Sequence, residues 1–248
     1  MNHSPRLKMV FLIFSFLSLN SCFLFGPNSS EKLVELSQNY KDENKAKILD
    51  LINAEKTDAN FADKTSGRTA LMNLIYQGAP NELIEALLKK QGLDINKADQ
   101  AGATALHYAV LSSSKEYGRA NDIVLMILKR PEANLNGFTE KNWLNYEAHM
   151  SALKLARGPC TQILLNDPRL DLNAASVDGE SALLYLARTN DYEAIEMMIQ
   201  TGRLNLKHRD EKTRGLRDYF EMGRSSKSDL PFDKDRTRAI LAVSKENN

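Results

Sequence analysis

The sequence predicts an all-α fold, a solenoid of stacked helix-turn-helix repeats with hairpin loops between them. The first observation is a recurring phrase, a Thr or Ser followed by Ala and Leu. Its copies begin at Thr69, Thr104, Ser151 and Ser181. The second observation is another phrase, an Asp or Asn placed two residues before an Asn. Its copies begin at Asp58, Asp94, Asn134 and Asp171, with a decayed copy at Asn205. Two phrases that recur in alternation indicate an internal repeat.

The spacing inside the repeats supports this interpretation. An aliphatic residue lies six positions before every copy of the second phrase, at Ile52, Leu88, Leu128, Leu165 and Ile199. The distance from the second phrase to the leucine of the next helix instead varies between 11 and 19 residues. The constant offset indicates a rigid unit, the end of an outer helix that leads into a hairpin. Insertions confined to the connections are what a stacked array tolerates.

The best copy of the first phrase reads Gly102-Ala103-Thr104-Ala105-Leu106-His107-Tyr108-Ala109. It closely resembles the ankyrin signature T-P-L-H-x-A, with Ala105 in place of the proline. In that family the threonine starts the inner helix, the leucine packs between repeats, and the histidine links neighbouring turns through hydrogen bonds. The resemblance therefore implies that the following residues form the structural repeat signature: Thr69, Leu71, Thr104, Leu106, His107, Ser151, Leu153, Ser181 and Leu183. It implies a structural role for His107, not a catalytic or metal-binding one.

The N-terminus predicts a secretory signal peptide over residues 1–21. An apolar run of 11 residues, Met9 to Leu19, follows two basic residues. This run is too short to span a bilayer, which takes about 20 residues, but it suits the core of a signal. Leu19-Asn20-Ser21-Cys22 resembles a bacterial lipobox, which implies that Cys22 is lipidated and becomes the new N-terminus. The alternative is an uncleaved anchor, because Phe23-Leu24-Phe25 extends the apolar stretch.

The sequence predicts a lipidated tether over residues 22–30 and a repeat domain over residues 31–248. This domain would hold five to six repeats, including degenerate caps. Glu31 to Asn39 and Asn44 to Glu55 predict a helical pair that lacks the Thr-Ala-Leu phrase. We interpret this pair as the N-terminal cap, whose outer face must be polar because no neighbour covers it.

The next unit predicts an inner helix over Thr69 to Gln77 and an outer helix over Asn81 to Lys90. Pro80 separates them, at the position where proline commonly starts a helix. The third unit, Asp94 to about Pro131, carries a serine-rich loop between its helices, at residues 112–118.

The fourth unit, Asn134 to about Pro168, contains an insertion at residues 137–149 between its hairpin and its inner helix. The fifth unit predicts helices over Ser181 to Thr189 and Tyr192 to Thr201. The last unit predicts an inner helix from Gly215 and a closing helix over Thr237 to Val243.

The insertion in the fourth unit holds the strongest candidate binding residues. It carries the only tryptophan of the chain, and its candidate partner-binding residues are Phe138, Lys141, Trp143 and Tyr146. Trp and Tyr are enriched in binding hot spots because they bury a large area at little entropic cost. The alternative is that these aromatic rings fold back over the groove and form a local mini-core.

Residues 203–238 hold 11 Lys or Arg and 7 Asp or Glu, in a chain whose overall net charge is +1. This basic stretch suits acidic partners or anionic lipid headgroups, but the interleaved acids favour a solvated face. The balanced overall charge is not that of a general nucleic-acid-binding protein.

No pattern of catalytic or metal-binding residues is present. The chain has 4 histidines and 2 cysteines, and none of them follows a metal-ligand spacing. Cys160 is expected to be a small buried residue, not a nucleophile. The sequence predicts no catalytic residue, no metal, no cofactor, no nucleic acid and no small-molecule substrate.

The predicted function is therefore a non-enzymatic protein–protein interaction module, a membrane-anchored bacterial ankyrin-repeat lipoprotein that faces the periplasm or lies on the cell surface. Its partners would be an unknown protein and, through the N-terminal lipid, the membrane. The alternative function is an accessory or inhibitory subunit that regulates an enzyme in the same extracytoplasmic compartment.

Overall fold

The computed structural model describes residues 28–112, 117–144, 146–225 and 230–246. The predicted signal peptide and Cys22 lie outside the described residues. Within those ranges the chain forms twelve α-helices and, apart from isolated β-bridges, no strand. Their bounds are α1 Ser29–Gln38, α2 Lys45–Asn53, α3 Ala70–Tyr76, α4 Asn81–Lys89, α5 Ala105–Ser112, α6 Tyr117–Leu128, α7 Ala152–Leu155, α8 Pro159–Leu165, α9 Ala182–Arg188, α10 Tyr192–Gln200, α11 Leu216–Ser225 and α12 Lys234–Glu246.

The helices stack in two rows. The odd-numbered helices pack on one another in order and form the inner row, and the even-numbered helices form the outer row in the same order. Each pair of helices thus contacts chiefly the pair before it and the pair after it, as in a solenoid. The predicted all-α solenoid is confirmed, with six helix pairs in the described ranges.

The helix boundaries differ from the predicted ones where a cap was missed. Helix α1 begins at Ser29, two residues before the predicted start, because the Asn28 side chain accepts the backbone N–H of Glu31 at 2.8 Å. Helix α12 begins at Lys234, because Asp233 accepts the N–H of Asp235 at 2.9 Å. Helix α7 has a single turn, and Gly158 in the left-handed region (φ 52°) separates it from α8.

The leucines of the recurring phrase lie in the core. Leu71, Leu106, Leu153 and Leu183 are at most 3% exposed. Since they lie on successive inner helices, they line the contacts between neighbouring repeats. Burying each such side chain contributes about 1.5–3 kcal/mol relative to leaving it in water.

The residues that precede these leucines cap the inner helices. The hydroxyl groups of Thr69, Ser151 and Ser181 accept the backbone N–H three residues further on, at 3.4, 3.3 and 3.5 Å. Thr104 differs, because its hydroxyl lies 3.0 Å from Nδ1 of His107 and its own N–H donates to that nitrogen at 3.1 Å. The His107 ring therefore caps this helix, in place of the threonine or serine hydroxyl that caps the other copies.

The first residue of each Asx phrase shapes its own hairpin. Its side-chain oxygen accepts the backbone N–H two residues further on at 2.8–3.0 Å, and this contact occurs at Asp58, Asp94, Asn134, Asp171 and Asn205. This is the Asx turn, which substitutes a side-chain oxygen for a backbone one.

The asparagine that ends each phrase joins one hairpin to the next. In Asn136, for example, Oδ1 accepts the N–H of Asp171 at 2.8 Å and Nδ2 donates to the carbonyl of Arg169 at 3.1 Å. The same pair of bonds is made by Asn60, Asn96 and Asn173 to the hairpin that follows each of them. We call these four residues the asparagine ladder.

A second set of contacts joins the outer helices. A cation from each hairpin donates to the carbonyl at the C-terminal end of the preceding outer helix, where carbonyls lack partners within the helix. The contacts run from Lys90 to Ile52, from Arg130 to Leu88, from Arg169 to Leu128 and from Arg203 to Leu165. The acceptors are the aliphatic residues with the constant six-residue offset. The rigid unit predicted from the spacing is thus held in place from the next repeat.

None of the helices within these ranges combines the length and the apolar character needed to cross a membrane.

The asparagine ladder yields a stability prediction. The variant Asn136→Ala leaves the N–H of Asp171 and the carbonyl of Arg169 without their partner, so it should destabilise the protein by about 1–3 kcal/mol in urea unfolding. Lys207→Ala is the matched control, because Lys207 holds the ladder position of the last hairpin and its side chain has no hydrogen bond in the described structure. Equal stability of Asn136→Ala and the control would contradict the role of the ladder.

Candidate protein-binding face

A row of aromatic rings crosses the inner helices. Tyr76 and Tyr108 meet edge to face with centroids 6.1 Å apart, and Tyr108 meets Trp143 at 4.8 Å. Tyr146 continues the row, 6.5 Å from Trp143. The Arg68 guanidinium lies over the rings of Tyr76 and Tyr108 at 5.2 and 5.3 Å, which adds cation–π attraction. The row therefore connects the second, third and fourth repeats.

The insertion of the fourth repeat is a small hairpin that packs against the third repeat. Trp143 and Tyr146 exchange backbone hydrogen bonds of 3.0 and 2.8 Å. Leu144, at the turn, has φ 52°, a left-handed conformation that is unusual for leucine. The N–H of Glu140 donates to the carbonyl of Ala101 at 2.7 Å, and a Cβ on neighbouring Gly102 would lie 2.9 Å from that nitrogen. Only glycine fits at this approach of two loops.

Trp143 itself is buried, with 3% of its surface exposed. Its Nε1 donates to the hydroxyl of Tyr108 at 3.2 Å, and that hydroxyl donates to Asp99 at 2.7 Å. Burial and the bond to Asp99 raise the pKa of Tyr108, so the phenol stays neutral. The geometry corrects the candidate role of Trp143 as an exposed partner contact. Its ring belongs to the mini-core that was the alternative interpretation.

Lys154 holds the histidine position of the signature in the fourth repeat and is 1% exposed. Its Nζ donates to Glu180 at 2.9 Å and to the carbonyl of His149 at 3.1 Å, between the rings of Phe138 and Tyr185. Desolvation lowers the pKa of Lys154, while the Glu180 carboxylate opposes that shift. The lysine thus links the fourth and fifth repeats with charge-assisted hydrogen bonds.

A chain of ion pairs continues to the surface. Arg188 of α9 donates to Glu180 at 3.2 Å and forms a second ion pair with Glu147 of the insertion. Its guanidinium also lies 5.2 Å from the ring of Tyr185. The Arg188 side chain is 26% exposed and Glu147 is 54% exposed. The insertion is therefore attached to the third repeat through Trp143 and to the fifth repeat through Glu147.

The imidazole ring of His107 is buried and neutral. Burial lowers the pKa of His107 to about 4, and the nearby backbone carbonyls of Met150 and Gly137 oppose that shift only in part. Nδ1 accepts from Thr104, so Nε2 carries the proton of the neutral ring. This geometry gives His107 a structural environment between the third repeat and the insertion.

The remaining candidate residues differ in exposure. Lys141 is exposed, while Phe138 and Tyr146 are half-buried. The side chains that reach solvent along the aromatic row are Arg68, Tyr76, Tyr146, Glu147 and Arg188. We call this set the hairpin face.

Four of these residues, all except Tyr146, were missed in the sequence. Arg68 precedes a repeat phrase, Tyr76 and Arg188 end inner helices, and Glu147 lies in the insertion, but none of the four belongs to a motif. Their common surface arises only when the repeats stack.

No group of three or more His, Cys, Asp or Glu residues suited to a metal ion exists among the described residues. Cys160 is fully buried, and its Sγ lies 3.0 Å from Oδ1 of Asn121.

The arrangement on the hairpin face, with tyrosine rings, arginines and one carboxylate on a rigid support, suits recognition of another protein surface.

Comparisons with known proteins agree with the fold. A family model described as ankyrin repeats, in three copies, matches residues 35–139. An ankyrin repeat protein from Rickettsia bellii is 30% identical over 112 residues, which cover 44% of this chain and 59% of that protein. The chain therefore matches somewhat less than two thirds of the length of this relative.

Three solved structures share the architecture. A chain from a complex of a predatory endopeptidase of Bdellovibrio bacteriovorus with an immunity protein has a TM-score of 0.62 and 24% identity, and the match covers 87% of this chain and 99% of that one. The ankyrin repeat domain of Bcl-3, a member of the IkappaB protein family, has a TM-score of 0.65 and 19% identity over 94% and 91% of the two chains. The ankyrin repeat protein EF0377 has a TM-score of 0.61 and 18% identity over 89% and 97%. At these identities the likeness shows the fold alone.

The burial of Trp143 gives a prediction that separates its two interpretations. Trp143→Ala removes a buried ring and should destabilise the protein by about 3–5 kcal/mol in urea unfolding. Lys141→Ala, in the same insertion but exposed, should change stability by less than about 0.5 kcal/mol. A Trp143→Ala variant as stable as Lys141→Ala would overturn the mini-core.

Proposed function

Because the chain carries ankyrin repeats, we propose that it is a non-enzymatic interaction module whose hairpin face binds a partner protein. The observation that carries this proposal is the row of tyrosines and arginines that spans four repeats. Tyr and Arg are among the residues that dominate binding energy at protein interfaces. On the hairpin face their exposed edges, such as that of Tyr76 at 36%, lie beside buried rings that hold them in place.

The rigidity of the support favours binding over catalysis. The hairpins are joined by the asparagine ladder, and the outer helices α2, α4, α6 and α8 are each held by a cation from the next repeat. A surface ordered in advance loses little conformational entropy when a partner binds. Chemistry would instead need titratable groups that converge on a pocket. Of the buried groups of this face, His107 accepts the N–H that starts its own helix and Lys154 links two repeats through Glu180.

We further propose that the protein is a bacterial lipoprotein, anchored through acylated Cys22 and facing the periplasm or the cell surface. The support is the apolar run before Cys22 and its resemblance to a lipobox. Helix α1 begins at Ser29, seven residues beyond Cys22. The repeats would therefore work close to the membrane surface.

A second candidate function is inhibition of an enzyme in the same extracytoplasmic compartment. The observation that favours it is the structural match to a chain of the Bdellovibrio complex between an endopeptidase and an immunity protein, a match that covers 99% of that chain. In this case the hairpin face would bind one enzyme with a fixed stoichiometry.

Photo-cross-linking tests the hairpin face. A photoreactive residue in place of Tyr76, on the hairpin face, should give covalent adducts with a partner in the native membranes. The matched control carries the same residue in place of Leu125, which is 45% exposed and lies on the outer helix α6. Mass spectrometry of the adducts identifies the partner. Adducts of equal yield from both positions would contradict the proposal, and a single enzyme that loses activity in the adduct would favour the inhibitory function.

The lipid anchor has its own test. The chain with native Cys22 should fractionate with membranes and yield an acylated N-terminal peptide in mass spectrometry, while Cys22→Ser should lose both properties. Cys160→Ser is the control, because it removes the chain's other cysteine and should leave acylation unchanged. A Cys22→Ser variant that stays in the membrane would instead indicate the uncleaved anchor.

A further inference from the structure

The asparagine ladder stops at the last hairpin. Asn173 donates to Arg203 and accepts from Asn205, but the residue that would repeat this contact is Lys207. Its backbone N–H is held by Asn205 at 3.0 Å, and its side chain has no partner in the described structure. Every earlier hairpin is covered by the following one. Among the described residues, the last hairpin instead borders open space.

Two adjoining cavities occupy this open space. One of about 560 Å³ lies between the hairpin, the start of α11 and the end of α12, and another of about 450 Å³ lies on the other side of Leu206 and Lys207. We call their combined volume the end groove. Its apolar wall is formed by Leu204, Leu206, Leu216, Leu241 and Val243, which also pack on the core. Cavities of this size accommodate a drug-sized ligand, so each has room for a few side chains of a bound peptide.

Three cations along the end groove form no ion pair within the described residues. Lys207, Arg217 and Lys245 line the larger cavity, and all three side chains are exposed. Among the arginines whose side chains the structure describes, Arg217 alone has no ion pair, hydrogen bond or aromatic contact for its guanidinium. The one acid that lines the cavity, Asp218, already accepts the N–H of Gly215 at 2.8 Å.

We propose that the end groove binds an acidic, extended segment of a partner protein, laid along the last hairpin where a further repeat would otherwise pack. Carboxylates of that segment would pair with Lys207, Arg217 and Lys245, and its apolar side chains would contact Leu206 and Leu241. The concave shape and apolar wall favour a peptide over a flat anionic membrane. This surface is separate from the hairpin face, so the two are tested by different variants.

The test uses the full-length chain and a fluorescent peptide of alternating Glu and Leu, followed by fluorescence anisotropy. The peptide should bind, and the double variant with Lys207→Glu and Arg217→Glu should weaken binding by about tenfold or more through like-charge repulsion. The milder pair Lys207→Gln and Arg217→Gln gives the same readout if the charge reversals impair folding, which circular dichroism reports. A peptide of alternating Gln and Leu should bind weakly to every variant.

The matched control reverses the charge of Lys47 and Lys129, two exposed lysines elsewhere in the array, and should leave peptide affinity unchanged. Absence of peptide binding by the native chain, or equal weakening by the control pair, would overturn the proposal. Binding to vesicles of anionic phospholipid that depends on Lys207 and Arg217, without peptide binding, would also overturn it and assign the groove to a membrane surface.

Discussion

The fold depends on one recurrent contact, the side-chain amide of an asparagine that pairs with the backbone of the next hairpin. Hairpin loops expose N–H and C=O groups that helices and sheets would satisfy within themselves. An amide offers one acceptor and two donors, so it meets both kinds of backbone group at once. Asn60, Asn96, Asn136 and Asn173 make this double contact at distances of 2.7–3.1 Å. The same two hydrogen bonds thereby join each of the first four hairpins to the next, and the helices stack in the same order.

This repeated contact between hairpins explains where the array tolerates insertions. The insertion of the fourth repeat enters a connection between hairpin and inner helix, so the ladder contact of Asn136 is unaffected. The inserted residues are stabilised by the repeats on both sides. Trp143 packs on the ring of Tyr108 in the third repeat, and Glu147 forms an ion pair with Arg188 in the fifth. At the histidine position of the signature, the fourth repeat holds Lys154, which joins the fifth repeat through its ion pair with Glu180.

The same stacking creates surfaces at two places. Along the inner row, side chains from the second, fourth and fifth repeats form the hairpin face, which joins aromatic rings to charged groups that reach solvent. At the last described hairpin Lys207 takes the place of the ladder asparagine, and beside it lies a groove with apolar walls and with cations that form no ion pair within the described residues. One surface arises from the continuity of the repeats and the other from the loss of the ladder asparagine. A rigid array of this kind presents both without a change in its own conformation.

The sequence by itself determined the repeat units and their order through the recurrence of its two phrases. It also determined the Asx turns and three of the helix caps, because each of these depends on residues at most three positions apart. It also located the insertion and left two roles open for Trp143. Only the tertiary structure decided that Trp143 is buried on Tyr108, 35 positions away, that Arg68 lies over Tyr76 and Tyr108, and that Arg188 pairs with Glu147 of the insertion. The cations that hold the outer helices escaped detection for the same reason, since they act on carbonyls 38 to 42 positions earlier and sit at two different places in the hairpin. Contacts over such separations follow from how the repeats stack, which no local pattern encodes.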